Sequence, residues 1–468
     1  MTAPTGEAAP TERSAPRPRQ RPARRAIDDL SLRVRPELVD AVQAAGRWPA
    51  WLAHDRRAAY AAFEALPAEG NRLYTPYIDL RSAELADATL VEAPRPGVVA
   101  TNLPDGADGL LVLGEGDVLA SVLSPAAAAA GVRLATFGEL LERDPDRVRT
   151  LLDGGRTLPA GDKFAQLTRA LWSQGVVLDV PAGVHLVRPI VIRWAVGAPG
   201  RALLTRTLVQ LGEDAQASVV EELVPSAEAA PAGSQAFFAG TTEVVLGSKA
   251  TLRIASLQEL PANVVALQHR TSVIGEGAEL HWALAQLGGR LVRSRVDNRL
   301  EGDHSAVEQV EIVFGGDEQL FDLTSYTTHV GRDTTGNLLA KGALLDRSRS
   351  YMKGLITIDR SAIGTDSFLG EFGMNLSKAA RAVAIPSLEI DQPDCRRAAH
   401  SSSVGPIDET QLFYLESRGI DPDEARKFIV LGFLEPVVAR VPLGDVQDRL
   451  RELLEAKWAA GTVIRAAA

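Results

Sequence analysis

The chain has 468 residues, 46% hydrophobic and 24% charged, ordinary for a soluble globular protein and too long for one small core. A net charge of −10 argues against a nucleic-acid binder, which needs a basic face to displace phosphate counterions. No run approaches eighteen consecutive apolar residues, and a single cysteine, Cys395, excludes a disulfide framework or a multi-cysteine metal cage built by this chain alone.

Residues 1–25 hold six Arg and five Pro and lack the apolar stretch of a secretory signal. Residues 1–27 are therefore expected to form a disordered tail, and the protein to reside in the cytoplasm. Residues 28–175 read as a mostly helical domain of mixed α/β character. Helices are predicted over 37–45 and 48–66, the latter anchored by Trp48, Trp51, Leu52, Ala59 and Phe63. Further helices are predicted over 138–153, with a break at Pro145, and over 163–174, where Phe164, Leu167, Leu171 and Trp172 recur at helical spacing. Between them, Gly109 to Gly114 reads as a short buried strand.

From 176 to 407 the helical patterns give way to short Val, Ile, Leu and Thr runs separated by glycine-centred turns. Ala250, Ala278 and Ala306 follow such turns 28 residues apart, and Ala362 lies two further intervals on. A recurring strand–turn unit of this length points to stacked coils, as in a parallel β-helix. An antiparallel sandwich with coincidental spacing is the other reading.

Helical signals return over 408–468. Asp408 with Gln411, and Asp421 with Glu424, have capping-box spacing, Pro422 suits a first helical position, and Gly419 suits a helix stop. Ala425, Phe428, Ile429, Gly432 and Phe433 fall on one helical face, as do Val446, Leu450, Leu453, Leu454 and Trp458.

Local enzyme signatures are missing. The nearest approach to a phosphate-binding loop, Gly240 to Gly247, has the wrong glycine gap and Ser248 where lysine is required, so no ATP site is expected in this chain. The seven histidines are scattered singly, which favours structural or surface roles. His400 is the exception, five residues from Cys395 at the junction of the strand-rich region and the helical tail, since imidazole and thiolate both suit iron or a cluster.

An ordered series near the C-terminus resembles the signature of the SufB/SufD family. It runs from Pro386-Ser-Leu-Glu-Ile390 to His400, then Val404-Gly-Pro-Ile-Asp408 and Gln411-Leu-Phe-Tyr-Leu-Glu-Ser-Arg-Gly-Ile420, and on to Glu424-Ala-Arg and Gly432-Phe-Leu-Glu-Pro436. Upstream, Gln174-Gly-Val-Val, Val180-Pro-Ala-Gly-Val, Gly288-Gly-Arg-Leu-Val-Arg293, His329 and Lys341-Gly-Ala-Leu344 stand in the same order. The resemblance covers about residues 160–440.

It implies a mainly β protein, with a right-handed parallel β-helix core over 176–407 flanked by the two helical regions. It also implies a non-enzymatic scaffold that builds a transient iron–sulfur cluster shared at a subunit interface. Partners implied are a SufC-like ATPase on the C-terminal helices, a SufB-like subunit or a second copy, and indirectly a cysteine desulfurase system. SufB resemblance would want a cysteine where an ungapped match puts Glu371, whereas SufD resemblance wants a histidine before the Val-Gly run, which His400 supplies.

The family's Cys-Ser-His-Gly is Ala398-Ala-His400-Ser here, with Cys395 three positions early. His400 and Cys395 are thus the candidate cofactor-binding residues, and His400 the candidate metal ligand. Leu412, Phe413, Leu415, Arg418, Phe428, Phe433 and Glu435 are the candidate partner-binding residues. Two alternatives stay open within the family, a SufB-like subunit and a cofactor-free assembly platform. From another class, a β-helix carbohydrate-active enzyme is disfavoured by the 5% aromatic content, which offers few sugar-stacking platforms.

Overall fold

The structure, a computed structural model, describes residues 25–467 except positions 33, 47, 93–101, 153–157, 231–232 and 442. The expected tail over 1–27 lies outside these residues up to position 24. In the N-terminal region, α1 (Pro36–Ala45) and α2 (Ala50–Ala65) precede β1 (Thr89–Leu90), β2 (Gly109–Leu113), β3 (Val118–Leu123), α3 (Pro125–Ala129) and β4 (Arg133–Thr136). Then come α4 (Phe137–Arg143), α5 (Pro145–Leu152) and α6 (Lys163–Leu171). Pro145 divides α4 from α5, as its missing N–H requires. Thr136 caps α4 through a full capping box with Glu139, and Asp162 caps α6 by accepting from the N–H groups of Phe164 and Ala165.

Sixteen strands follow: β5 (Gln174–Val180), β6 (Ile190–Val196), β7 (Arg201–Leu211), β8 (Gln216–Pro225), β9 (Ala236–Leu246), β10 (Thr251–Gln258), β11 (Val264–Ile274) and β12 (Glu279–Gln286). They continue as β13 (Leu291–Leu300), β14 (Ala306–Gly315), β15 (Leu320–His329), β16 (Thr335–Leu344), β17 (Arg349–Ile358), β18 (Asp366–Asn375), β19 (Arg381–Ile390) and β20 (Arg397–Pro406). Odd-numbered strands stack in parallel into one sheet and even-numbered strands into a second, giving a parallel β-solenoid of about 8 turns. A sandwich is thereby excluded.

The register explains the repeat. Thr251 pairs with Glu279, and Glu279 with Ala306, but Ala306 then pairs with Thr335 and Thr335 with Asp366, so the later coils are longer. Ala306 already lies one position beyond Ser305, the register equivalent of Ala278, and Ala362 is off the column too, so both matches to the 28-residue interval are coincidental. The buried corner column runs Ala215, Ala250, Ala278, Ser305, Thr334, Thr365, small residues throughout. Glycine is obligatory beside it: a Cβ on Gly247 would sit 2.8 Å from the Glu213 nitrogen, and one on Gly275 would sit 2.7 Å from the Leu246 carbonyl oxygen.

Both sheets are covered outside as well as inside, so many strands are buried along nearly their whole length. N-terminal helices place Val39, Val42, Phe63, Phe164 and Leu167 against outward residues of the first sheet, such as Leu204 and Phe237. Of the C-terminal helices α7 (Glu409–Ser417), α8 (Pro422–Val438) and α9 (Gly444–Ala467), α7 packs against α8, and α8 and α9 lie on the second sheet. There Val430, Leu434, Leu450 and Trp458 meet Ala255, Leu257 and Ile312. Val446, Leu450, Leu454 and Trp458 are buried as the α9 pattern predicts. The α8 stripe is a correction: its buried residues are Ala425, Val430, Leu434, Val437 and Val438, while Phe428 is exposed. Packing on the flat sheet uses the half of the helix beyond Phe428. Gly419 does follow α7 with φ of 86°, but Asp408 and Asp421 cap only the N–H groups two residues on, without the reciprocal half of a capping box.

Candidate functional site at the open end of the solenoid

Alternation along each strand sends every second side chain into the lumen, and the register stacks these into columns. In the second sheet one column runs Val219, Ile254, Trp282, Gln309, Leu338, Leu369, His400. Its neighbour runs Glu221, Ser256, Leu284, Glu311, Ala340, Glu371, Ser402. A lumen filled only with apolar residues would give the best burial, so the charged members of the second column need partners.

At the early coils Glu221 has them: Ser256 Oγ and Arg270 Nη2 donate at 2.7 and 2.8 Å, and Thr242 Oγ1 at 3.1 Å. Burial pushes the Glu221 carboxyl up, but Arg270 and the hydroxyls outweigh it and hold the pKa below the ordinary value. Further along, Glu311 accepts from Ser294 Oγ at 3.0 Å, and burial dominates, pushing it up to about 7. Glu371 accepts from the Ile385 N–H at 2.9 Å and is pushed up to about 8, again by burial first. Gly354, opposite, makes the room, since a Cβ there would lie 2.8 Å from Glu371 Oε1. The lumen thus carries an ion pair near its start and two carboxylic acids near its end. A cavity of about 20 Å³, enough for one water, lies between Glu311 and Glu371.

Above Glu371 the solenoid stops. His400 occupies the inward register position over Leu369, and Ser402 the one over Glu371, yet both are exposed because no further coil covers them. The last strands, β19 and β20, are both ten residues long and present unpaired edges. Pro386 sits in β19, where the absent neighbour makes its missing N–H harmless.

Cys395, half-buried, packs with Leu388 and Ala398 against Ile356, Ile358 and Leu369. Strand rise alone separates Arg397 from His400 by roughly 10 Å, so the thiol and the imidazole stand at different points of the rim. Among the described residues, no three His, Cys, Asp or Glu side chains gather in a geometry fit for a metal ion.

The partner-binding candidates divide. Phe413 and Phe428 are 71% and 63% exposed, on α7 and α8 respectively, and Tyr414 on α7 is exposed as well. Arg418 stacks on the Tyr414 ring at 5.1 Å. Leu412 is buried, and Leu415 half-buried. Phe433 is held by Lys341, whose Nζ lies 4.6 Å from the ring centroid and donates to the Phe433 carbonyl oxygen. Glu435 pairs with Arg451 at 2.7 Å within the chain.

A second buried polar cluster, on the outer face of the first sheet, is not evident from sequence. Asp162, at the cap of α6, bonds Arg295 Nη1 at 2.9 Å and lies 3.4 Å from His269, which also contacts Asp297 at 2.6 Å. Arg293 bridges Glu69 and Asp322, and Lys353 lies 2.6 Å from Asp322. Burial opposes the charge on Asp162, but Arg295, His269 and Arg293 hold its pKa well below the carboxylate range. These pairs clamp the N-terminal region onto the solenoid. The available signal is charge inside strand-forming runs, as in Leu291-Val-Arg-Ser-Arg-Val-Asp297.

No helix among the described residues is long and apolar enough to cross a membrane. A profile of the family described as SUF system FeS cluster assembly, SufBD core domain, matches residues 194–433, which hold most of the solenoid, the open rim and most of α8. The chain is 28% identical over 296 residues to the iron–sulfur cluster assembly protein SufD of Bacillus subtilis, covering 63% of this chain and 67% of that protein. It is 28% identical over 301 residues to a SufBD family protein of Mycobacterium tuberculosis, 63% of this chain and 74% of that one. For a SufBD family protein of Staphylococcus saprophyticus the identity is 26% over 287 residues, 61% of each chain. A parallel solenoid in a chain matched over half its length by that profile identifies the protein as a member of the SufBD family of iron–sulfur cluster assembly proteins.

Proposed function

We propose that this protein is a SufD-like scaffold subunit in which the open end of the solenoid meets a SufB-like subunit or a second copy. The nascent iron–sulfur cluster is its cargo, received indirectly from a cysteine desulfurase system, and a SufC-like ATPase docks on α7 and α8. The observation that carries this reading is His400: an imidazole at a lumen-facing position, exposed only because the solenoid ends there. A partner adding a strand to β19 or β20 would satisfy the unpaired edge and bring its own donors beside that imidazole. Glu371, in the place a SufB-like cysteine would take, supports the SufD-like assignment. The exposed Phe413, Tyr414 and Phe428 support docking of a partner on the helices.

The reading that the protein is a cofactor-free platform is favoured by one feature, the apolar packing of Cys395, which turns the thiol away from the role of a second ligand beside His400. Anaerobic co-expression with a SufB-like and a SufC-like protein separates the two. Pull-down followed by iron and sulfide analysis is expected to show an intact complex in which His400→Ala loses most of the cluster. Unchanged iron and sulfide in the variant would establish the platform instead, and failure to retain the ATPase would overturn the scaffold assignment.

A further inference from the structure

Away from the rim, α9 and the corner loops of the second sheet enclose a groove of about 490 Å³, within the range of small-molecule sites. Its walls include Leu260, Gly289, Arg290, Asp317, Glu318 and Lys457. Lys457 lines the groove, half-buried as a residue and with its amine enclosed. Nζ donates to two acceptors, the Leu287 carbonyl oxygen and Gln319 Oε1, the latter at 2.9 Å. These two contacts leave one position on Nζ unfilled, and no carboxylate pairs with it among the described residues.

Burial supports the neutral amine, lowering the pKa to about 7 against the opposing charge of Asp317. The other wall carboxylates are engaged elsewhere. Glu318 pairs with Arg347, and Asp346 accepts from the Asp317 N–H at 2.9 Å. Arg290 stands exposed at the same groove and makes no ion pair among the described residues.

We infer that this groove is a binding site for a small carbonyl compound bearing a phosphate or carboxylate, which Arg290 holds while Lys457 forms a Schiff base with it. The lone pair of Nζ attacks the carbonyl carbon, a proton passes from nitrogen to oxygen, and the carbinolamine loses water to give the imine. No oxidant or reductant is consumed. This site is independent of the rim and of the scaffold reading.

The test uses the full chain with glyceraldehyde 3-phosphate, and with glyceraldehyde as the uncharged control, at pH 7 with cyanoborohydride to trap the imine. Peptide mass spectrometry then gives the rate at each lysine. Lys457 should be labelled at least tenfold faster than the exposed Lys249 and Lys378. The phosphate should accelerate Lys457 several-fold, and Arg290→Ala should abolish that acceleration while leaving the glyceraldehyde rate unchanged. Labelling of Lys457 no faster than of Lys249 would overturn the inference, and so would equal rates with and without the phosphate. Because wild type and Arg290→Ala both keep Lys457, a folding defect in a lysine variant cannot obscure the result.

Discussion

The two ends of the solenoid solve the problem of a terminal strand differently. At the start, β2 adds in parallel to β6, and β3 then turns back antiparallel on it with a register shift between Val112 and Leu113. In the other sheet β4 runs antiparallel to β5. Short reversed strands and a bulge end the parallel stacking there, while the Asp162 cluster fastens the N-terminal helices to the middle coils, β11 to β17. At the far end, two ten-residue parallel strands stop with nothing upon them. Unprotected edges are normally selected against, and the subunit contact proposed above would cover one that is long, in register and beside His400. One end is closed by reversed strands, the other is open.

Mutations should show the same division. Asp162→Ala removes the α6 cap and the carboxylate shared by Arg295 and His269, leaving buried charge unanswered. It should cost about 3–5 kcal/mol in urea unfolding with no direct effect on partner binding. Glu371→Gln tests the lumen below the open end. A carboxyl whose folded value is raised to about 8 binds its proton more tightly when folded. That contribution is fully present below the ordinary carboxylate pKa and is lost as pH climbs towards 8. The variant should therefore lose less stability than wild type between pH 5 and pH 8, by about 2 kcal/mol or more, read from urea midpoints at the two pH values.

Ser402→Pro probes the edge itself. The Arg397 N–H bonds the Thr365 carbonyl oxygen, so by the alternation of a parallel strand the Ser402 N–H points away from β18. Removing it should change stability by less than about 1 kcal/mol. Partner or self-association, measured by sedimentation, should weaken at least tenfold. Comparable losses of stability at Asp162 and Ser402 would erase the distinction between the fastened body and the open end.

Much of this was legible in the sequence, and unevenly so. Strand-length runs and glycine corners announce the solenoid because each corner glycine answers a close backbone approach, as at Gly247 and Gly275. The helices of the N-terminal region follow their apolar spacing, and Pro145 marks its break. His400 is found by its place in a motif, whereas its lumen-facing position follows from the register, which no local pattern fixes. The coil lengths vary from Glu279 onward, so a constant period aligns both Ala306 and Ala362 wrongly. Glu221 and Arg270, or Asp162 and Arg295, are far apart in the chain and meet only once coils are stacked. The α8 stripe misleads because Phe428 and Gly432 fit a helical face as well as the residues that do pack.

The most direct test of the central claim is hydrogen exchange across both ends, in the isolated chain and in its complex with a SufB-like partner. Peptides covering 381–406 should exchange readily alone and slow at least tenfold on assembly, while peptides covering 118–136 stay unchanged. Protection appearing at 118–136, or no change at 381–406 in a complex that has formed, would contradict the assignment of the open end as the assembly surface.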